Sequence, residues 1–322
     1  MTDTLSIVVF RGTTHGLPAS EYAAALRERL PDYDVRLART PQQEREYVAD
    51  AEVATGESID RDLLNCARNL RLFACSWAGT GHLPLDALRE RGVAVTNASG
   101  IHAPNIAETV LGFVLTFARR LHEGWRRART REWRHFQGYE LQGSTVTVVG
   151  MGSIGEATLR RLEGFGVETV GVRHSPGKGG PADEVIGYEP AAVHEALART
   201  EYLVLACPLT GTTRGLVDTE ALKTLPPEAV LVNVGRGKVV DTDALTAALE
   251  RQSIRGAALD VVDPEPLPAD HPLWRLENVV LTPHNAGHSP QHWPRLADLL
   301  AGNVDRIRES GYGELANEVV AP

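Results

Sequence analysis

Lysine is almost missing from this chain. Lys178, Lys223 and Lys238 are the only three, against thirty arginines among the 33 basic residues. Acidic residues number 42, so the net charge is −9. That balance argues against non-specific nucleic-acid binding, which needs a basic surface. An acidic, Lys-poor, Arg-rich composition fits a GC-rich genome and is compatible with a saline cytoplasm. Cysteine is scarce too. Cys66, Cys75 and Cys207 stand apart, without Cys-x-x-Cys spacing, so neither a disulfide framework nor a zinc knuckle is expected. Reduced thiols in a cytoplasmic protein, with no metal, are the expectation. No apolar run approaches the ~20 residues of a membrane span. The N-terminus has no basic segment followed by a long apolar one, so 5–10 is expected to be a first strand, not a signal peptide. Repeats and low-complexity tracts are absent. What remains is an ordinary globular composition, 43% apolar and 23% charged, over 322 residues, enough for two domains.

The organising stretch is 145–162. Thr145-Val146-Thr147-Val148-Val149 is a short β-branched run, as a buried parallel strand should be. Gly150-Met151-Gly152-Ser153-Ile154-Gly155 follows, and then a helix-forming run through Leu162. Strand, glycines and helix in that order are the context that gives Gly-x-Gly-x-x-Gly a meaning. Gly150 permits the tight turn, Gly152 lets backbone approach a pyrophosphate, and Gly155 lets helix and strand pack closely. The amides at Ser153 and Ile154 open the helix toward the anion.

About 20 residues past such glycines, an Asp or Glu at the next strand end usually binds the ribose 2′-hydroxyl of NAD. Here the strand 168–172 runs into Arg173-His174-Ser175, with no carboxylate. Arg173 suits a 2′-phosphate, with His174 and Ser175 as further donors. NADP(H) is therefore the preferred expectation, with NAD(H) still open.

Elsewhere, strands and helices alternate, which predicts parallel sheets with helical crossovers. Ser20 is the expected N-cap of a helix over 20–30, Asp60 begins another, Asp241 caps a third, and 295–308 reads as a returning helix. One unbroken apolar helix is expected from Ala103 to about Gly124, buried on several faces. The basic stretch Trp125 to His135 after it reads as a dimerisation arm or as a solvated helix anchored by its two tryptophans.

Three strands of the second half each end near a residue of catalytic type: Arg236 after 229–234, Glu265 after 256–261, and His284 after 279–282. In an open parallel sheet, ligands bind outside the carboxyl ends of the strands, so these three are expected on one edge. Gly-x-Gly-x-x-Gly, Asn233-Val234-Gly235-Arg236-Gly237, Asp260 with Pro264-Glu265-Pro266-Leu267, and Thr282-Pro283-His284 together resemble the D-isomer-specific 2-hydroxyacid dehydrogenase family along nearly the whole chain.

The resemblance implies an α/β architecture of two Rossmann-like, doubly wound parallel-sheet domains with a cleft between them. The substrate domain would be 1–100 plus 287–322, and the dinucleotide-binding domain 101–286. It implies catalytic roles for Arg236, Glu265 and His284. Arg236 would bind the carboxylate of a small 2-oxo acid, and His284 would protonate its carbonyl oxygen. Glu265 would bond the imidazole and keep its cationic form available near neutral pH. Ser76 to Gly81 would cup the substrate carboxylate, chiefly at Ala78 and Gly79, with Trp77 lining the side-chain pocket. Asp260 would meet the nicotinamide carboxamide, while Cys207, Pro208, Thr210, Thr212 and Val234 would border the cofactor. The expected activity is NADPH-preferring reduction of 2-oxo acids to D-2-hydroxy acids and the reverse, by a homodimer joined through 103–140. A glyoxylate/hydroxypyruvate reductase is the narrower form. Phosphoglycerate is disfavoured for want of an extra basic cluster, and formate because Glu265 stands where that branch carries an amide. A nucleotide-sensing corepressor is the alternative of another class.

Overall fold

The computed structural model describes residues 5–321; Met1–Thr4 and Pro322 lie outside the described residues. The chain divides into two compact units, Met1–His102 with His288–Pro322, and Ala103–Gly287.

The first unit opens with β1 (Ser6–Val9) and a short antiparallel hairpin, β2 (Thr13–Thr14) and β3 (Leu17–Pro18). Helix α1 (Ala19–Arg29) follows directly and buries Ala19, Tyr22, Ala23 and Leu26, the spacing of one helical face. Its entry corrects the expected Ser20 cap. Pro18 precedes the first helical residue, and Ser20 lies inside the first turn. After β4 (Asp34–Leu37) comes α2 (Pro41–Val48), where the Thr40 side chain accepts from the Gln43 amide and Pro41 needs no partner for its nitrogen. Then follow β5 (Val53–Gly56), α3 (Arg61–Cys66) capped by Asp60, β6 (Leu72–Cys75), α4 (Leu85–Glu90) and β7 (Ala94–Thr96). The strands run parallel in the order β7-β6-β5-β1-β4. The register aligns Ile7, Val53, Leu72 and Ala94, so apolar side chains stack across the sheet.

In the second unit the expected single apolar helix is two. α5 (Ala103–Ala118) and α6 (Leu121–Arg129) break at Arg120, whose φ is +51°. The reason is tertiary. The Tyr139 amide donates to Ala118 O at 2.7 Å, and Arg119 and Arg120 reach back to the carbonyls of Tyr139 and Gln137. The returning chain thus takes the place of the next helical turn. Trp125 is 57% exposed, and Trp133, at 101%, anchors nothing within this chain.

The second sheet comprises β8 (Thr145–Val149), β9 (Glu168–Val172), β10 (Glu184–Ile186), β11 (Tyr202–Leu205), β12 (Val230–Asn233), β13 (Gly256–Leu259) and β14 (Val279–Leu281). Between them lie α7 (Ser153–Leu162), α8 (Pro190–Ala198), α9 (Thr219–Thr224) and α10 (Thr242–Glu250). Asp241 caps α10 as expected, accepting from the Ala244 amide at 3.0 Å. All pairings are parallel, in the order β10-β9-β8-β11-β12-β13-β14. Every residue of β8, β11, β12 and β13 is buried, which is why these runs are mostly apolar instead of alternating with charged residues. Strand order reverses between β8 and β11, so their carboxyl ends form the topological switch point where ligands bind in such sheets.

The chain re-enters the first unit through α11 (His292–Ser310), longer than the expected 295–308, and ends in β15 (Glu318–Val320), antiparallel to β7. α11 packs on α1, with Tyr22 and Trp293 stacked at 4.8 Å. Among the described residues no helix is long and apolar enough to cross a membrane.

Candidate active site

At the switch point, β8 turns into α7 through a loop that tolerates no side chain at two of its glycines. Gly150 has φ +97°, and a Cβ there would lie 2.6 Å from Cys207 Cα. A Cβ on Gly155 would lie 2.0 Å from Gly150 O, so helix and strand meet at backbone contact. Gly152 and Ser153 are exposed at the start of α7, where Gly152 precedes the first helical residue with no side-chain cap. That leaves a helix N-terminus facing solvent, the arrangement that receives an anion.

A cavity of about 390 Å³ opens beside this loop. Of the residues expected at a cofactor, Gly150, Gly152, Arg173, His174, Ser175, Pro208, Thr210 and Thr212 line it. Lys178, Tyr188 and Thr213 line it as well. Arg173 donates to Gly179 O at 2.5 Å and lies 3.7 Å from the Glu156 carboxylate. It therefore also ties the Pro176–Lys178 turn to the strand end, which brings the Lys178 ammonium to the cavity. Burial pushes the Tyr188 phenol up to about 12, so it is neutral and able to donate at physiological pH. The cavity, its cationic rim and the helix terminus fit a dinucleotide phosphate.

Two of the residues expected at the cofactor, Cys207 and Val234, have buried side chains. Cys207 is 2% exposed, in the cluster around Leu205 and Leu231, and burial pushes its thiol up to about 11. Val234 is 6% exposed, among the residues packed under α5. Both continue the apolar runs of β11 and β12, so their side chains point inward.

At the carboxyl ends of β12, β13 and β14 stand the three expected catalytic residues. His284 Nδ1 lies 3.0 Å from Glu265 Oε2, and the Val262 amide donates to Glu265 Oε1 at 3.0 Å. Arg236 is exposed at the end of the neighbouring strand and donates to Gly235 O at 2.7 Å. Its turn is braced from below by Asn233, 1% exposed, which donates to Arg236 O and accepts from the Gly235 amide, both at 3.1 Å. Asp260, expected at the nicotinamide, is 3% exposed. It accepts from Thr282 Oγ1 at 2.6 Å and from the amides of Asn285 and Ala286 at 2.8 and 3.0 Å. His284 itself has φ +53°, a sparsely populated conformation for a residue with a Cβ, so the loop holding it needs this fastening. A second cavity, about 630 Å³, is lined by Asp260, Glu265, Leu267, Trp274 and His284, among others.

The residues expected at the substrate carboxylate lie in the first unit, on the loop after β6. Trp77 is 49% exposed, and Ala78 and Gly79 are exposed. Asn97 fastens this loop by donating to Ala78 O at 2.8 Å, and the Ala98 amide donates to Trp77 O. His82 Nε2 donates to Glu57 O at 2.8 Å.

The family model for the D-isomer specific 2-hydroxyacid dehydrogenase NAD binding domain matches residues 111–286. The chain belongs to the D-isomer-specific 2-hydroxyacid dehydrogenase family. A glyoxylate/hydroxypyruvate reductase B from Pectobacterium carotovorum is 33% identical over 308 residues, 92% of this chain and 94% of that one. A D-3-phosphoglycerate dehydrogenase from Methanocaldococcus jannaschii is 30% identical over 309 residues, 94% of this chain but only 58% of that longer protein. A solved D-isomer specific 2-hydroxyacid dehydrogenase from Xanthobacter autotrophicus Py2, in complex with NADPH and MES, shares 30% identity at a TM-score of 0.79, with 98% of each chain covered.

For this 2-hydroxyacid dehydrogenase family member, sequence reading missed Lys178, Glu156 and the fastening by Asp260. Lys178 had one signal, its place in the Gly- and Pro-rich loop just beyond Arg173. Glu156 had none, since only the fold sets α7 beside the end of β9.

Proposed function

We propose that this protein reduces small 2-oxo acids to D-2-hydroxy acids, and catalyses the reverse oxidation, with NADPH preferred to NADH. The observation that carries the reading is the Glu265–His284 pair at 3.0 Å, next to Arg236 at the end of a neighbouring strand. With Nδ1 engaged by the carboxylate, His284 presents Nε2 to a substrate. From Nε2 it donates a proton to the carbonyl oxygen and recovers it in the oxidative direction. Arg236 binds the substrate carboxylate and polarises the ketone with a fixed cation. Glu265 positions the ring through its bond to Nδ1. Asp260 holds the 282–286 loop so that the ring keeps its place. When bound, the dihydronicotinamide supplies hydride to the carbonyl carbon.

NADPH preference is supported by Arg173 and Lys178 at the 390 Å³ cavity and by the missing carboxylate at the end of β9. The NADPH in the Xanthobacter relative agrees with it. Glu156 near Arg173 opposes it in part, although Arg160 also pairs with that carboxylate. Trp77, Ala78 and Gly79 are assigned to the substrate carboxylate and side chain. Glyoxylate and hydroxypyruvate are the leading substrates, in keeping with the Pectobacterium relative. A homodimer through 103–140 belongs to the same proposal, supported by the exposed Leu121, Trp125, Trp133 and Tyr139. So does a cytoplasmic setting, supported by three unbridged cysteines.

The test is initial rates with NADPH and NADH over glyoxylate, hydroxypyruvate, pyruvate and a branched-chain oxo acid. Turnover favouring NADPH supports the reading. No turnover by folded protein, at low and high salt, moves the assignment to a nucleotide-sensing binding protein.

A further inference from the structure

Four histidines of the first unit take no part in the site above. His15 stacks on His288 at 4.1 Å and 14°, and meets His102 and His292 at 5.3 and 5.1 Å between ring centroids. His102 and His292 stack at 5.2 Å. His292 is 1% exposed, and both of its ring nitrogens are buried with no hydrogen-bond partner. A neutral imidazole carries one donor and one acceptor, and burying both unused is costly unless something else engages the ring.

We propose that His15, His102 and His292 form a binding site for a divalent transition-metal ion of the zinc class. One nitrogen from each of the three lies within 4.8 Å of the others. Zn–N bonds of about 2.0–2.1 Å in a tetrahedron need nitrogens roughly 3.4 Å apart, a closure that side-chain rotation supplies. The donor set is three imidazoles. The charged and titratable neighbours that bear on His292 are His102, His15 and His288, with no carboxylate among them. Imidazole-only coordination suits zinc, cobalt, nickel or copper and not magnesium or calcium, which take oxygen. Three protein ligands leave a fourth position for water.

The backbone is arranged for this contact. His15 and Gly16 form the two-residue turn of the β2–β3 hairpin, with φ +55° and +78°. Such turns need positive φ at both positions and favour Asn-Gly. Histidine at the first position accepts that strain and places its ring among the others. His102 is the last residue before α5, and His292 is the first of α11. The ion would therefore join three segments distant in sequence: the hairpin and the chain at its exit from, and return to, the first unit. His288 is exposed and stacks on His15 at the edge of this group.

The experiment uses the full-length, untagged protein stripped with chelator and dialysed against Zn2+, Co2+ or Mg2+. The expected result is one bound equivalent of Zn2+ by elemental analysis, a visible Co2+ ligand-field spectrum, and a rise in Tm with Zn2+ but not Mg2+. His15→Asn keeps the turn residue that the hairpin prefers, so it should fold and retain turnover while losing affinity at least ~10-fold. His292→Ala should lose the Co2+ spectrum. No bound metal in the wild type, or unchanged binding by folded His15→Asn, overturns the proposal.

Discussion

The Glu265 carboxylate bonds His284 Nδ1 with one oxygen and the Val262 amide with the other, each at 3.0 Å. It is fixed from its own strand end and in turn fixes the imidazole. Glu265→Gln keeps a group of the same shape but removes the carboxylate charge beside the ring. kcat should fall about 10- to 100-fold, while NADPH affinity, read by fluorescence titration, stays as in the wild type. An unchanged kcat would remove Glu265 from the mechanism.

Asp260 offers a different test, because it reaches His284 only through the loop. Asp260→Asn puts an NH2 group where the amides of Asn285 and Ala286 or the Thr282 hydroxyl now donate. Leaving such buried groups mismatched should cost about 1–3 kcal/mol of stability. Turnover should fall with it. Denaturant melts and steady-state rates on the same preparation check both, and a stable, fully active variant would contradict the fastening role.

Cofactor choice turns on Arg173. Arg173→Asp removes a cation from the cavity rim and the bond to Gly179 O that holds the Lys178 turn. The NADPH/NADH ratio of kcat/KM should drop about 10- to 100-fold, the worth of one or more charged hydrogen bonds. A constant ratio would place the 2′-phosphate elsewhere.

Much of this was legible before the structure because parallel strands buried on both faces are written as short, mostly apolar runs without charge. Their ends point to Gly150, Arg236 and His284, and the glycine spacing marks the loop that meets a phosphate. Tertiary relations were not legible. Arg120 reads as one more helical residue after an apolar helix, yet residues 137–139 return across Ala118 and end the helix there. Asp260 reads as a polar residue at a strand end, and only the fold brings the 282–286 loop to its oxygens. The histidines at 15, 102 and 292 are too far apart to signal one another.

Glu123 supplies a stability test away from catalysis. It is 7% exposed and held by Arg126 and Arg127, and the Arg126 hydrogen bond is the largest influence holding its carboxyl below the usual value. A carboxyl depressed in the folded state stabilises above its unfolded value, near 4.5, and that contribution is lost as pH falls through the folded value. Glu123→Gln should therefore lower Tm at pH 7, with the gap to wild type closing as the pH is taken below about 4.5. A gap independent of pH would mean that the side chain acts by packing alone.

The most direct test of the central claim compares wild type with His284→Gln in hydroxypyruvate reduction by NADPH, with the product resolved on a chiral column. The wild type should form the D-2-hydroxy acid. His284→Gln should lose at least ~10²-fold in kcat yet bind NADPH as before. An L-product, or a His284→Gln variant as fast as wild type, would contradict the assignment of His284 as the proton donor of a D-specific reductase.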